Sequence, residues 1–88
     1  MEAIAVAKKY EILVVYNGVT KSITVEPHQQ VEAILKHAIT LFNITQNAHL
    51  LSLFREDGSV VPEHQSVADA GIKPGELLAL RPNAVKGG

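Results

Sequence analysis

Two glycines, Gly87 and Gly88, are the residues best suited to do chemistry, and they follow a polar stretch at residues 82–86. Glycine has no Cβ, so its backbone fits a groove too narrow for other residues and bends freely beside a reacting carbonyl. A carboxylate on Gly88 is therefore a handle that an enzyme can thread into a narrow channel and activate. In an extended conformation, residues 81–88 reach on the order of 25 Å, which is enough to enter a deep active site.

The composition predicts one small globular domain and excludes several kinds of chemistry. The chain has 88 residues, 47% of them hydrophobic, and a net charge of −1, which gives no electrostatic reason to bind nucleic acid or an anionic membrane. Cysteine is absent, so a disulfide framework and a cysteine nucleophile are excluded. No apolar run has the length of a transmembrane helix. We expect a monomeric cytoplasmic protein in which residues 1–9 are a disordered leader.

Neither a metal site nor an active site is predicted. The four histidines match no usual spacing of metal ligands; they are His28, His37, His49 and His64. Ser66 is explained as a capping residue, and no base lies at a spacing that suggests a catalytic triad. We therefore expect a protein that is not an enzyme and holds no cofactor.

Periodicity and turn residues predict the elements of the first half of the chain. Residues 10–16 and 19–26 alternate as strands do, and Asn17-Gly18 between them favours a tight hairpin. Residues 28–42 instead carry apolar residues at helical spacing. The apolar positions on that side are Val31, Ile34, Leu35, Ala38, Leu41 and Phe42.

The second half of the chain predicts shorter elements. Residues 49–54 form a third strand, with Ser52 and Phe54 on the side away from the core. A short strand at residues 60–61 and one helical turn at residues 66–71 follow.

A type II turn at Pro74-Gly75 then leads into the last strand, residues 76–81. The predicted order is strand, strand, helix, strand, short strand, helical turn, strand, which is an α+β arrangement. One helix covers only one face of such a sheet, so the other face is left to solvent or to a partner.

This order is similar to the β-grasp fold, and particular residues extend the resemblance to ubiquitin. Ile-Thr-Val-Glu-Pro at residues 23–27 looks like ubiquitin's second strand and the Glu-Pro before its helix. Val-Ala-Asp-Ala-Gly-Ile at residues 67–72 looks like the helical turn before its last strand. Leu-Ala-Leu-Arg at residues 78–81, followed by Gly87-Gly88, looks like its end.

The resemblance covers residues 10–88 and predicts both a domain division and a fold. Residues 10–81 are expected to form a ubiquitin-like β-grasp domain, a mixed four- to five-stranded sheet packed on one helix. Residues 82–88 are expected to form a flexible diglycine tail.

The resemblance also implies a function and a set of partners. In this family an activating enzyme adenylates the terminal glycine carboxylate, here that of Gly88, and the glycine is then joined to a lysine amine by an isopeptide bond. The implied partners are the activating (adenylating) enzyme, a conjugating enzyme, a deconjugating protease and the target proteins. Cysteine-free bacterial modifiers encoded beside their activating and conjugating enzymes are the most similar group. Lys21, Lys36 and Lys73 are the candidate acceptors for chain formation.

Two surfaces are predicted to contact partners. Arg81 and Lys86 are the basic residues of the tail, and Pro82 between them has no N–H with which to extend a partner's sheet. The tail thus departs from the arginine- and leucine-rich tail of ubiquitin, which favours a dedicated set of enzymes.

The second surface is an apolar patch on the open sheet face, where ubiquitin carries its main recognition surface. The patch residues are Leu13, Val15, Phe54 and Ala79. Scattered exposed apolar residues are also normal in soluble proteins. Phe54 is the member expected to matter most, because aromatic residues anchor interfaces disproportionately.

Two other functions stay open at this point. Sulfur carriers of the thiamin and molybdopterin pathways share this fold and ending, and form a terminal thiocarboxylate instead of an amide bond. They are generally shorter across residues 56–75, which favours the modifier. The other alternative is a ubiquitin-like binding module that is not conjugated, such as the small ubiquitin-like components of bacterial secretion systems, which need no diglycine.

Overall fold

A computed structural model describes residues 9–87, which form one mixed sheet with a helix against it. The strands are β1 (Tyr10–Tyr16), β2 (Val19–Val25), β3 (Leu51–Phe54) and β4 (Leu77–Pro82). The helices are α1 (Val31–Leu41), a 3-10 turn (Ala48–Leu50) and the short α2 (Ala84–Gly87). No helix in this part of the chain has the length and apolar character that a membrane span requires. Residues 1–8 of the predicted leader, and Gly88, lie outside the described residues.

The first two strands form the predicted antiparallel hairpin. The register runs from Tyr10 opposite Val25 to Tyr16 opposite Val19. Asn17-Gly18 turns the chain with φ values of 51° and 79°, the left-handed conformation that this type of turn requires. The hairpin prediction is confirmed, and β2 ends one residue earlier than expected.

Helix α1 is shorter than predicted at its start. Gln30 is extended, with φ −78° and ψ 145°, because it forms a β-bridge with Ser66. The helix therefore begins at Val31 instead of residue 28. At the other end the predicted stop is confirmed, because Asn43 has a positive φ of 55° and the next residue, Ile44, donates its N–H to Ile39 O at 3.0 Å.

The last strand lies in the middle of the sheet, in the order β2-β1-β4-β3. β4 runs parallel to β1, with Leu78 opposite Val14, and antiparallel to β3, with Leu80 opposite Leu53. Four strands therefore share one sheet, and the first and last strands of the chain are neighbours.

Two small elements are less regular than expected. The expected strand at residues 60–61 is a single bridge between Val60 and Phe54, so the predicted four- to five-stranded sheet has four strands. The predicted single helical turn at residues 66–71 is present, because Ala70 donates its N–H to Ser66 O at 2.9 Å. Ser66 acts as predicted, because its Oγ accepts the N–H of Asp69 at 3.0 Å. The third strand begins at Leu51, after the 3-10 turn.

The core lies between the sheet and α1. The sheet contributes Ile12, Val14, Ile23, Val25, Leu51, Leu53, Leu78 and Leu80. The helix contributes Val31, Ile34, Leu35 and Ala38. Val61, Val67 and Ile72, from the turns between β3 and β4, complete the same cluster. All of these apolar side chains are buried on the side of the sheet that faces α1.

Tyr10 ties the start of the sheet to the turn before β4. Its hydroxyl donates to Ile72 O at 2.5 Å, across 62 residues of sequence. Burial, and secondarily the nearby carboxylate of Glu76, raise the pKa of Tyr10 above the ordinary tyrosine value. Both causes favour the protonated phenol, which is the form that donates this hydrogen bond.

We predict that Tyr10→Phe lowers the free energy of unfolding by about 1 kcal/mol near neutral pH, because it leaves the carbonyl of Ile72 without this donor. A raised pKa in the folded state gives stability that is complete below the unfolded value of about 10 and is lost as pH rises through the folded value. The difference between wild type and variant should therefore shrink in strongly alkaline buffer. Urea unfolding at several pH values measures this.

Tyr16→Phe is the matched control, because the Tyr16 ring packs against Phe42 with centroids 5.6 Å apart and its hydroxyl has no hydrogen-bond partner among residues 9–87. Equal stability of Tyr10→Phe and wild type at neutral pH would contradict the prediction.

Candidate functional site

The segment that leads to the diglycine is folded against the domain. Pro82 is the last residue of β4 and lies opposite Leu51 of β3. Asn83 then donates its N–H to Leu50 O at 2.8 Å. After it, α2 (Ala84–Gly87) replaces the extended, flexible tail that was expected. The reason is local: Asn83 Oδ1 accepts the N–H of Val85 at 3.0 Å and so caps the first turn.

Lys86, predicted to contact a partner enzyme, is engaged by the domain itself. Its Nζ donates to Leu51 O at 2.6 Å and forms an ion pair with the carboxylate of Glu63. The side chains of Lys86 and Glu63 are only 27% and 21% exposed. The pair is therefore better shielded from water than an ordinary surface ion pair.

Ser52 lies on the side of the sheet away from the core, as predicted, and is nevertheless only 1% exposed. Its hydroxyl accepts a hydrogen bond from Asn83 Nδ2 at 3.2 Å and lies 3.4 Å from a carboxylate oxygen of Glu63. The C-terminal segment covers it. Alternation along the strand predicts the side of the sheet on which Ser52 lies, but it contains no information about a covering residue 31 positions further along the chain.

The four residues of the predicted apolar patch do lie on one sheet face. Val15 is opposite Ala79, which in turn is opposite Phe54, so these three form one row across β1, β4 and β3. Leu13, 37% exposed, lies in the next row beside Leu77. Val15, Phe54 and Ala79 are partly exposed. We call Leu13, Val15, Phe54, Leu77 and Ala79 the sheet patch.

Arg81, predicted as a tail residue, contacts the sheet patch. Its guanidinium carbon lies 4.6 Å from the centre of the Phe54 ring, close enough for a cation–π interaction. The register explains the contact, because Arg81 is opposite Ser52 and Phe54 is two residues further along the same strand. The sequence assigned Arg81 to the tail and Phe54 to the patch without indicating that they touch.

The three candidate acceptor lysines are exposed and lie apart from one another. Lys21 on β2 donates to Leu41 O at 3.3 Å and sits 5.3 Å from the centre of the Phe42 ring. Lys36 on α1 pairs with Glu32 at 3.8 Å, as its spacing predicted. Lys73 lies on the turn before β4. All three are accessible from solvent.

The histidine and acidic side chains of residues 9–87 do not cluster as metal ligands do. The four histidines are all exposed, and no group of three or more histidine or acidic side chains in this range could hold a metal ion. The pKa of Asp57 is lowered chiefly by the N–H and then by the hydroxyl of Ser59, which donate to it at 2.9 and 2.7 Å. This is a turn interaction.

Comparison of the sequence with known families gives one match. Residues 5–88 match the family described as "Protein of Unknown function (DUF2604)". No curated protein matches the chain.

Solved structures with the same fold are numerous. A protein designed de novo on the basis of ubiquitin has a TM-score of 0.74 at 18% identity, covering 86% of this chain and 90% of its own. The N-terminal ubiquitin-like domain of the 4931431F19Rik protein has a TM-score of 0.72 at 14% identity, over 88% of this chain and 77% of its own. ATBAG1, solved in complex with HSP70, has a TM-score of 0.73 at 14% identity, over 89% of this chain and 42% of that one. The ubiquitin-like β-grasp fold is thus confirmed.

Proposed function

Because this chain belongs to the DUF2604 family, whose description gives no function, we propose a function from its own site: a cytoplasmic, ubiquitin-like protein modifier. In this proposal the carboxylate of Gly88 is adenylated by an activating enzyme and then joined to a lysine amine of a target protein. The domain itself is not an enzyme. It supplies the reacting carboxylate and the surface by which enzymes recognise it.

One observation carries this proposal. The last strand of a ubiquitin-like domain ends at Pro82, and the pair Gly87-Gly88 lies five and six residues beyond it. Glycines at that place give an unhindered, extendable backbone next to the reacting carbonyl. The domain that precedes them has the fold of ubiquitin, which is conjugated through such a diglycine end.

The proposed chemistry balances without any group from the domain other than this carboxylate. A carboxylate oxygen of Gly88 attacks the α-phosphorus of ATP, and the bond to pyrophosphate breaks. A thiol of the enzyme system, or the target amine directly, then attacks the carbonyl carbon of Gly88 and displaces AMP. The lysine amine attacks the thioester and releases the thiol, or attacks the adenylate directly and releases AMP; on either route the amine loses a proton and an isopeptide bond remains.

The sheet patch is the proposed docking surface for the activating and conjugating enzymes. Phe54 lies at one end of its central row and carries Arg81 over its ring. Aromatic residues and arginine are both enriched at protein–protein interfaces. A partner with an apolar surface and a carboxylate would satisfy both side chains.

We predict that Phe54→Ala weakens binding of the activating enzyme about tenfold or more while leaving the domain folded. Leu53→Ala is the matched control in the same strand, because Leu53 is fully buried and its truncation should cost about 2 to 5 kcal/mol of folding stability. Denaturant unfolding and binding titrations measure the two effects. Unchanged affinity of Phe54→Ala would remove Phe54 from the interface.

Recovery of tagged protein from its native cells under denaturing conditions tests the function. Because Lys86 directly precedes the glycines, trypsin cleaves after it and leaves Gly87-Gly88 on the acceptor lysine. We predict target peptides that carry this remnant in cells expressing the full chain. A chain without Gly87 and Gly88 is the control, and it should yield none.

Two further measurements, combined with the search for the remnant, distinguish the alternative functions. A sulfur carrier yields no remnant, and its intact mass shows one sulfur in place of one oxygen after incubation with ATP, a sulfur donor and the partner enzyme. A binding module that is not conjugated keeps its cellular role when both glycines are removed. Absence of the remnant together with either result would overturn the proposal.

A further inference from the structure

The segment before the diglycine is bound to the domain by side-chain and backbone contacts. Lys86 is the central residue, since its Nζ contacts both Leu51 O and the carboxylate of Glu63. Its backbone N–H also donates to Asn83 O at 3.0 Å and closes the turn of α2. Lys86 is thus fixed by its side chain to the domain and by its backbone to the helical turn.

Asn83 is the second anchor. Its N–H, its side-chain amide and its side-chain oxygen contact Leu50 O, Ser52 Oγ and Val85 N, respectively. The burial of Ser52 shows how closely the segment lies on β3. By contrast Val85, which makes the outer side of the turn, is 86% exposed. The segment is therefore docked through its polar residues.

The docked conformation is unsuited to threading. Four helical residues advance the chain by about 6 Å, whereas the same four residues extended would cover about 14 Å. A helical turn with its side chains is about 10 Å wide, twice the roughly 5 Å that an extended strand occupies beside a neighbour. Residues 84–87 must therefore uncoil before Gly88 can enter a narrow channel.

We propose that the Glu63–Lys86 ion pair is a latch that keeps the C-terminal segment closed, and that its opening is a required step before Gly88 is activated. The second half of this inference rests on the proposed function. A four-residue helix is not stable by itself in water, so the contacts of Lys86 and Asn83 are what hold it. The apparent affinity of an enzyme for the open tail falls in proportion to the fraction of open molecules.

Trypsin cleavage after Lys86 in the folded protein measures the fraction of molecules in which the latch is open, and it needs no activating enzyme. Trypsin binds a lysine whose side chain is free and whose backbone is extended. In the docked segment the Lys86 side chain is bound to the domain and the backbone is helical. The loss of Gly87 and Gly88 is followed by intact mass. When closing is fast relative to cleavage, the rate is proportional to the open fraction.

We expect wild type to lose the glycines more slowly than a peptide of residues 82–88. Glu63→Gln should raise the rate about three- to tenfold, because loss of a partly buried ion pair shifts an equilibrium by that order. Asn83→Ala, which leaves Glu63 in place, should raise it as well. Glu32→Gln is the matched control. Glu32 lines one cleft together with Glu63 and Lys86, but it pairs with Lys36, so the rate of this variant should equal that of wild type.

Two results would overturn the latch: cleavage of wild type as fast as the peptide, or a rate in Glu63→Gln no higher than in Glu32→Gln. Each variant is first checked for a native amide spectrum of the core, so that unfolding is not mistaken for opening, and Asn83→Ala decides the matter if Glu63→Gln does not fold. If the latch is observed and no Gly87-Gly88 remnant is found on any target, the proposed function fails and the latch stands.

Discussion

The parallel pairing of β1 with β4 determines where the functional features of this domain lie. It puts the last strand beside the first, with Val14 opposite Leu78 and Val15 opposite Ala79. Because β4 runs in the direction of β1, its end emerges near the β1–β2 turn, where Asn17, Leu51 and Pro82 line one cleft. The C-terminal segment therefore leaves the sheet beside the start of β3.

This pairing also separates a buried face from an open one. A parallel connection carries the chain across one face of the sheet, and here α1 covers that face. The other face keeps the row formed by Val15, Ala79 and Phe54, with Arg81 over the aromatic ring. Ala79 of this row belongs to β4, and the C-terminal segment begins directly after Pro82, the last residue of the same strand.

Local signals predicted much of this architecture. The bounds of β1 match residue for residue, because alternation and Asn17-Gly18 are both properties of neighbouring residues. The start of α1 was missed because the bridge between Gln30 and Ser66 holds the chain extended where periodicity alone favours helix. The docked tail was missed for a related reason. Its hydrogen bond from Lys86 spans 35 residues, and no local pattern encodes a partner at that distance.

The central claim is that Gly88 is activated at the expense of ATP. Hydroxylamine tests it most directly, because it attacks an acyl adenylate or thioester and leaves a hydroxamate on the former carboxylate. Purified protein is incubated with ATP, hydroxylamine and an extract of its native cells, and its intact mass is measured. We predict a hydroxamate on Gly88 that requires ATP and is absent when both glycines are removed. An unmodified carboxylate in the presence of ATP would contradict the account.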